Sequence, residues 1–343
     1  MRALLLVPGM LAGCAGAPST LDTRGPQAAR IADLWWLMFW LATIVFVLVV
    51  GLLGIALFRR RPAQMAAARG TPSEQLGGSF GRFAANGLVV GGGIVLPVAI
   101  LLPLAILSFR DVMRTALPGR APALTVEVTG RQYWWEVRYP DHQVVTANEI
   151  QIPVGEPVRL VLRSGDVIHS FWIPQLMGKL DMTPGREDET WVQADQPGVY
   201  WGQCTELCGL QHAHMAFVVV ASEPGQFETW LEAQRHPAVE PADPLARRGA
   251  QVFAREGCIA CHTVRYGQAG SPAVGGQAGV PGPDLTHVAT RRTLAAGMLE
   301  NNRGNLSGWI ANPQALKPGN LMPVTPLDGE SLLALVAYLE SLR

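Results

Sequence analysis

The sequence predicts a multidomain membrane protein: a hairpin of two transmembrane helices, then an all-β domain, then an all-α domain. Three observations carry this. Residues 34–58 and 83–108 are two long apolar runs without a charged side chain. From about residue 120 apolar and polar residues alternate in short runs. After three prolines within 236–244, helical spacing of apolar residues takes over to the end of the chain. With 343 residues there is room for two or three domains. A hydrophobic share of 49% against 16% charged is high for a soluble protein. The formal net charge is zero, so the basic excess that marks a nucleic-acid-binding chain is missing.

Residues 1–14 hold one arginine, a short apolar run and small residues before Cys14, the composition of an export signal. Leu11-Ala12-Gly13-Cys14 also resembles a bacterial lipobox, which makes Cys14 a lipidation candidate. Within residues 31–110 lie the two spans. The first, 25 residues long, would extend about 37 Å as a helix, enough to cross a bilayer. Trp35, Trp36 and Trp40 crowd its start, where an aromatic belt meets the interface. The second contains Pro97 and Pro103, which membrane helices tolerate. Between them Arg59, Arg60, Arg61, Arg69 and Arg82 face a single acid, Glu74. The positive-inside rule puts that loop in the cytoplasm and both termini outside.

Residues 120–235 form the β domain. Residues 124–129 and 158–163 alternate strictly, and further β-rich runs are separated by Pro, Gly, Asp and Asn at the spacing of a sandwich or barrel. A helix is expected over 226–235, a semi-rigid linker over 236–244, and the α domain over 245–343. Asp243-Pro244 suits a helix cap and first turn. Two short helical patterns, the first including Met298, precede a closing helix from about 328 to 342.

Two clusters carry chemistry. Near the end of the β domain, Cys204, Cys208, His212 and Met215 fall within twelve residues. Thiolates and a thioether beside imidazole favour copper over oxygen-seeking cations. Zinc would leave the methionine without a use, and a disulfide hairpin beside a core methionine is the bland alternative. In the α domain, Cys258-x-x-Cys261-His262 is the attachment pattern of a c-type haem: two thiols for the vinyl groups and an adjacent imidazole for the iron. The region resembles a small class I cytochrome c, which makes Met322, in the Met-Pro pair, the second axial ligand. His/Met ligation suits electron transfer and leaves no open position for oxygen. Met298 is the rival ligand. The Pro283 carbonyl could accept a hydrogen bond from His262. His142, His236 and His287 read as surface residues, and His214 as a partly exposed imidazole.

In this order, a two-helix hairpin, Cys204-x-Glu206-x-Cys208-x3-His212-x2-Met215 and a tethered cytochrome c resemble subunit II of haem–copper cytochrome c oxidases, in the fused form termed caa3. The resemblance covers nearly the whole chain. It implies a cupredoxin-like β domain holding binuclear copper, CuA, and one covalent haem c. It further implies that Cys204 and Cys208 bridge the coppers, that His169 and His212 cap one copper each, and that Met215 and the Glu206 carbonyl complete the set. The Glu206 side chain would share a magnesium ion with subunit I. The implied partners are subunits I and III and cytochrome c or another periplasmic donor. The implied place is the bacterial inner membrane, with both metal domains on the periplasmic side. The implied function is electron input to an aerobic terminal oxidase coupled to proton pumping, with the oxygen chemistry in subunit I.

Two departures from the family pattern bear on this. Family members carry Trp-aromatic-Trp after Gly-x-Gln where electrons are accepted; here Gly130-Arg131-Gln132 is followed by Tyr133 and Trp134. These two are the candidates for electron acceptance, with a tethered haem as main donor; a core strand is the alternative reading of the same stretch. A glutamate near the start of the second span, which feeds a proton channel in relatives, is replaced by apolar residues near Val90. Two other readings share the motifs: the electron-input subunit of a CuA-containing nitric oxide reductase, and a stand-alone membrane-anchored electron carrier. A quinol oxidase subunit of the same fold would lack the copper ligands.

Overall fold

A computed structural model of the chain describes residues 18–67, 86–267, 274–275 and 282–343, with the side chains of 59–67 and 274–275 left aside. The export signal, Cys14 and the greater part of the arginine-rich loop lie outside the described residues. Arg30–Ala116 forms one compact unit, and Leu117–Arg343 with the segment before Arg30 forms the other.

In the first unit, α1 (Pro26–Ala67) and α2 (Asn86–Ala116) are both long and apolar enough to cross a membrane, with mean hydropathy of 2.9 and 2.5 in their most apolar windows. Each is longer than the uncharged run that predicts it, because an amphipathic or charged turn can continue a helix past the hydrocarbon. Their large apolar side chains are exposed along the length, as lipid-facing side chains are. Helix α2 passes through a π turn at Gly91–Val95, just before Pro97, a known way to fit a local mismatch into a helix. Pro103 lies inside it.

In the second unit, ten strands form two five-stranded sheets. They are β1 (Leu124–Arg131), β2 (Trp134–Tyr139), β3 (Val144–Ala147), β4 (Glu149–Pro153), β5 (Val158–Ser164), β6 (His169–Trp172), β7 (Leu180–Met182), β8 (Glu187–Val192), β9 (Gly198–Cys204) and β10 (Ala216–Ser222). One sheet has the order β3-β2-β1-β5-β8 and the other β4-β10-β9-β6-β7. Pairs β1/β5 and β4/β10 are parallel and the rest antiparallel. In β1 every second residue is buried, so Val126 and Val128 meet the inner face of the other sheet. An aromatic cluster fills the centre: Phe171 stacks on Phe217 at 4.4 Å, and Trp135 stands edge-on to Phe217 at 5.2 Å. Gly202 is required there, since a Cβ would fall 2.2 Å from the Phe217 ring.

Helix α3 (Pro224–Arg235) packs on this domain through Phe227 and Leu231. The following segment is not loose: Ala238 is buried and its N–H donates to the Arg265 carbonyl. Then come α4 (Pro244–Arg255), capped by the Asp243 carboxylate, α5 (Arg303–Ala311), α6 (Pro313–Leu316) and α7 (Gly329–Ser341), capped by Asp328. Helices α4 and α7 cross at Gly249, where a Cβ would lie 1.9 Å from the Ala334 carbonyl oxygen. Around Met298 the expected helix is replaced by a hairpin of Thr293–Leu294 with Leu299–Glu300. Ala295, Ala296 and Gly297 all take positive φ in its turn, so helical spacing here loses to a turn closed by tertiary contacts.

Candidate metal centres

The copper-type cluster is assembled by sheet register. Cys204 ends β9 and Ala216 begins β10, and the Cys204 N–H donates to the Met215 carbonyl at 2.9 Å, closing the loop between them. Strand β6 pairs with β9 so that Phe171 faces Cys204. The Thr205 N–H binds the Ser170 carbonyl, which leaves His169 beside the first thiol. Residues far apart in sequence thus reach one point because both sit at strand ends, where a rigid scaffold can fix them.

The sulfur atoms of Cys204 and Cys208 are 3.8 Å apart, well beyond the roughly 2.05 Å of a disulfide. His169 Nδ1 lies 3.8 Å from the Cys204 sulfur and His212 Nδ1 3.7 Å from that of Cys208. The Met215 sulfur is 3.8 Å from that of Cys208, and the Glu206 carbonyl 3.3 Å from that of Cys204. All six expected residues therefore converge, and His169, Cys204, Cys208 and Met215 are buried. Such a set of two thiols, two imidazoles and a thioether fits a soft metal. The two thiols share a proton: donation from Cys208 drives the Cys204 pKa far below the usual thiol value, and Cys208 is pushed up.

Two features around His169 carry no local sequence signal. Its Nε2 donates to the Asp166 carboxylate at 2.7 Å, which leaves Nδ1 for the cluster. Burial lowers the His169 pKa, but the bonds to Asp166 and Cys204 outweigh it and the net shift is upward. Asp166, opposed by its own partial burial, is held below the usual carboxylate range by His169 and the N–H groups of Gln132 and Val167. The ring also packs against Gly130, where a Cβ would come within 2.9 Å of it.

The haem-type motif follows α4 in a single 3-10 turn, Cys258–Ala260. The His262 N–H returns to the Cys258 carbonyl, and its Nδ1 donates to the Pro283 carbonyl at 2.9 Å, the second-sphere bond expected there. Desolvation lowers the His262 pKa, which favours the neutral, ligating imidazole. Gly282 backs the ring; a Cβ there would lie 2.8 Å from it. Cys258, Cys261, His262 and Met322 line one largely apolar cavity, together with Trp309 and Ile310. That cradle of two thiols, an imidazole and a thioether in apolar walls fits a covalent haem. Gln314 Nε2 binds the carbonyls of Asn320 and Met322 and holds the methionine loop. Met298 lies in its hairpin turn and, among the described residues, lines no part of the cavity.

Tyr133 and Trp134 also line this cavity. Tyr133 is buried, and its hydroxyl accepts the Leu210 N–H of the copper loop at 3.0 Å. Gln132 Nε2 donates to the Cys208 carbonyl. His214 is exposed and bonded to Gln211, and His236 is exposed. His287 is not a surface residue: it is buried, with Nε2 on the His236 carbonyl at 2.9 Å. The linker closes over it, which a loop composition cannot reveal.

A family profile described as "Cytochrome C oxidase subunit II, periplasmic domain" matches residues 142–222, and one described as "Cytochrome c" matches residues 246–343. The chain is 36% identical over 338 residues to cytochrome c oxidase subunit 2 of Alkalihalophilus pseudofirmus, covering 97% of this chain and 94% of that protein. It is 31% identical over 356 residues to cytochrome c oxidase subunit 2 of Bacillus subtilis, covering 99% and 96%. Among solved structures, the periplasmic domain of subunit II of cytochrome oxidase (CoxB) of Bradyrhizobium japonicum is 34% identical. That match covers 34% of this chain and 95% of the domain, with a TM-score of 0.33.

Proposed function

The chain belongs to the cytochrome c oxidase subunit 2 family, in its form with a cytochrome c domain, and from that premise we propose that it is the electron-input subunit of an aerobic terminal oxidase. Electrons from cytochrome c or another periplasmic donor reach the haem domain first, then the copper domain, then subunit I, where oxygen is reduced and protons are pumped. The named relatives are oxidase subunits, which favours oxygen over nitric oxide as the terminal acceptor. The single observation that carries the reading is the convergence of His169, Cys204, Cys208, His212 and Met215 at sulfur-to-donor spacings of 3.7–3.8 Å, in a chain that also sets His262 and Met322 in the lining of one cavity.

In this reading Cys204, Cys208, His169, His212, Met215 and the Glu206 carbonyl would hold a binuclear copper centre. Cys258 and Cys261 would carry a haem covalently, and His262 and Met322 would supply an imidazole and a thioether to its iron. When bound, the two groups supply one-electron carriers whose ligand sets stay the same in both redox states. The chain's own contribution is to hold those ligands still. Asp166 and Gly130 fix the His169 ring from two sides, and Pro283 and Gly282 do the same for His262. The Glu206 side chain faces subunit I and shares a magnesium ion with it. Subunit III completes the assembly. Both metal domains stand on the periplasmic side of the inner membrane, on two spans whose connecting loop is cytoplasmic. Residues 1–14 direct export, with Cys14 as the site of lipid attachment. No glutamate stands near Val90 to feed a proton channel in subunit I.

The test is an electron paramagnetic resonance spectrum of the purified full chain loaded with copper. One unpaired electron split equally by two copper nuclei is expected. A spectrum of one isolated copper would refute the ligand set.

A further inference from the structure

The haem domain and the copper domain are joined by more than the linker. The Ala216 N–H, one residue past Met215, donates to the Ala296 carbonyl, and Gln211 Nε2 donates to the Pro318 carbonyl at 2.7 Å. Two charged side chains deepen the contact. Lys317, from the haem domain, is only 2% exposed, and its Nζ donates to the carbonyls of Tyr133, in the copper domain, and Ala295, each at 2.9 Å. Among the described residues no carboxylate pairs with it. Glu149, from the copper domain, is 6% exposed, and its carboxylate accepts the N–H groups of Arg292 and Thr293 in the haem domain. Each domain therefore sends one ionisable side chain into the other's backbone, with opposite sign.

Burial makes both groups costly. It pushes the Lys317 ammonium down to about 7, and it raises the Glu149 carboxyl against the two N–H bonds. In water each would be solvated without cost. Docked in any other register, each would be buried without its acceptors or donors, which is strongly unfavourable. Such a pair selects one orientation and penalises the others. The orientation it selects places Tyr133 and Trp134 in the wall of the haem cavity. Tyr133 is the residue held at once by Lys317, through its carbonyl, and by the copper loop, through its hydroxyl.

We propose that the haem domain is a fixed station and not a swinging arm, locked onto the copper domain in a single register by Lys317 and Glu149. This rests on the reading of the haem domain as donor to the copper loop, and it deepens that reading by naming what sets the geometry between them. The family's surface for accepting electrons at 133–134 is then covered by the chain itself. An external donor can reach only the haem domain.

The experiment writes a specific protease site over residues 239–242 of the full-length, metal-loaded protein, where Val239 is 80% exposed. After cutting, gel filtration follows haem absorbance. In the parent sequence the haem fragment stays with the membrane fragment. In Lys317→Met combined with Glu149→Gln the released share rises about tenfold or more, and each single variant falls between. Release from the parent on cutting, or equal retention in the double variant, overturns the lock. If the double variant fails to take up haem, the parent and the single variants decide the matter. Retention of the fragment beside a copper spectrum of one isolated ion would sink the functional reading and leave the lock standing. Release beside the binuclear spectrum would do the reverse.

Discussion

Replacing Asp166 by alanine tests whether the copper ligands are held from behind. The carboxylate accepts from three donors: His169 Nε2 at 2.7 Å, the Gln132 N–H at 2.6 Å and the Val167 N–H at 2.7 Å. Of these the imidazole matters most, because His169 is fully buried and has no water to turn to. A buried donor left unpaired costs about 1–3 kcal/mol. Loss of a partner that orients a metal-bound histidine typically costs about 10–100-fold in affinity. Since about 1.4 kcal/mol corresponds to a factor of ten, the two scales agree. Asp166→Ala should therefore release copper to a competing chelator about 10–100-fold more readily, with altered hyperfine splitting at the His169 side. Asp166→Asn keeps an acceptor but loses its charge, and should cost about tenfold at most. A chelator titration of the full chain, followed by paramagnetic resonance, reads both. If the alanine variant holds copper as tightly as the parent with the same spectrum, the ring is fixed by Gly130 and packing alone and the argument fails.

Met322→Ala should keep haem covalently attached while losing the low-spin, methionine-ligated absorption band; an unchanged spectrum would mean that another side chain supplies the sixth ligand. Gly282→Ala would set a methyl group 2.8 Å from the His262 ring, so the share of six-coordinate low-spin haem should fall, and full retention in the absorption spectrum would show that the ring can yield. Gly249→Ala places a Cβ 1.9 Å from the Ala334 carbonyl and 2.6 Å from the Tyr338 Cβ at the crossing of α4 and α7. Backbone cannot give way there as a flexible side chain could. Overpacking of about 1–3 kcal/mol or more is expected, lowering the melting point of the haem domain by roughly 5–20 °C in calorimetry.

What could be read from the sequence and what could not divide along one physical line. Cys204, Cys208, His212 and Met215 announce themselves because one loop holds them all, and so do Cys258, Cys261 and His262. His169 stands 35 residues from its nearest partner; only the β6/β9 register brings it in, and only a resemblance pointed to it. Gly130 and Gly282 carry no turn signal, because each is needed for a close approach by a ring from elsewhere in the fold. His287 reads as a surface residue because its neighbours are loop-like, yet the carbonyl that satisfies it comes from His236, 51 residues away. Lys317 is the extreme case. A lysine before Pro-Gly reads as a solvated loop charge, and nothing local contradicts that. Its acceptor on Tyr133 lies 184 residues upstream and is a main-chain carbonyl, which every residue has. Ligand identity is thus written in side chains at short spacing. The alignment of one centre with the other rests on backbone groups of the opposite domain, and those have no sequence of their own to read.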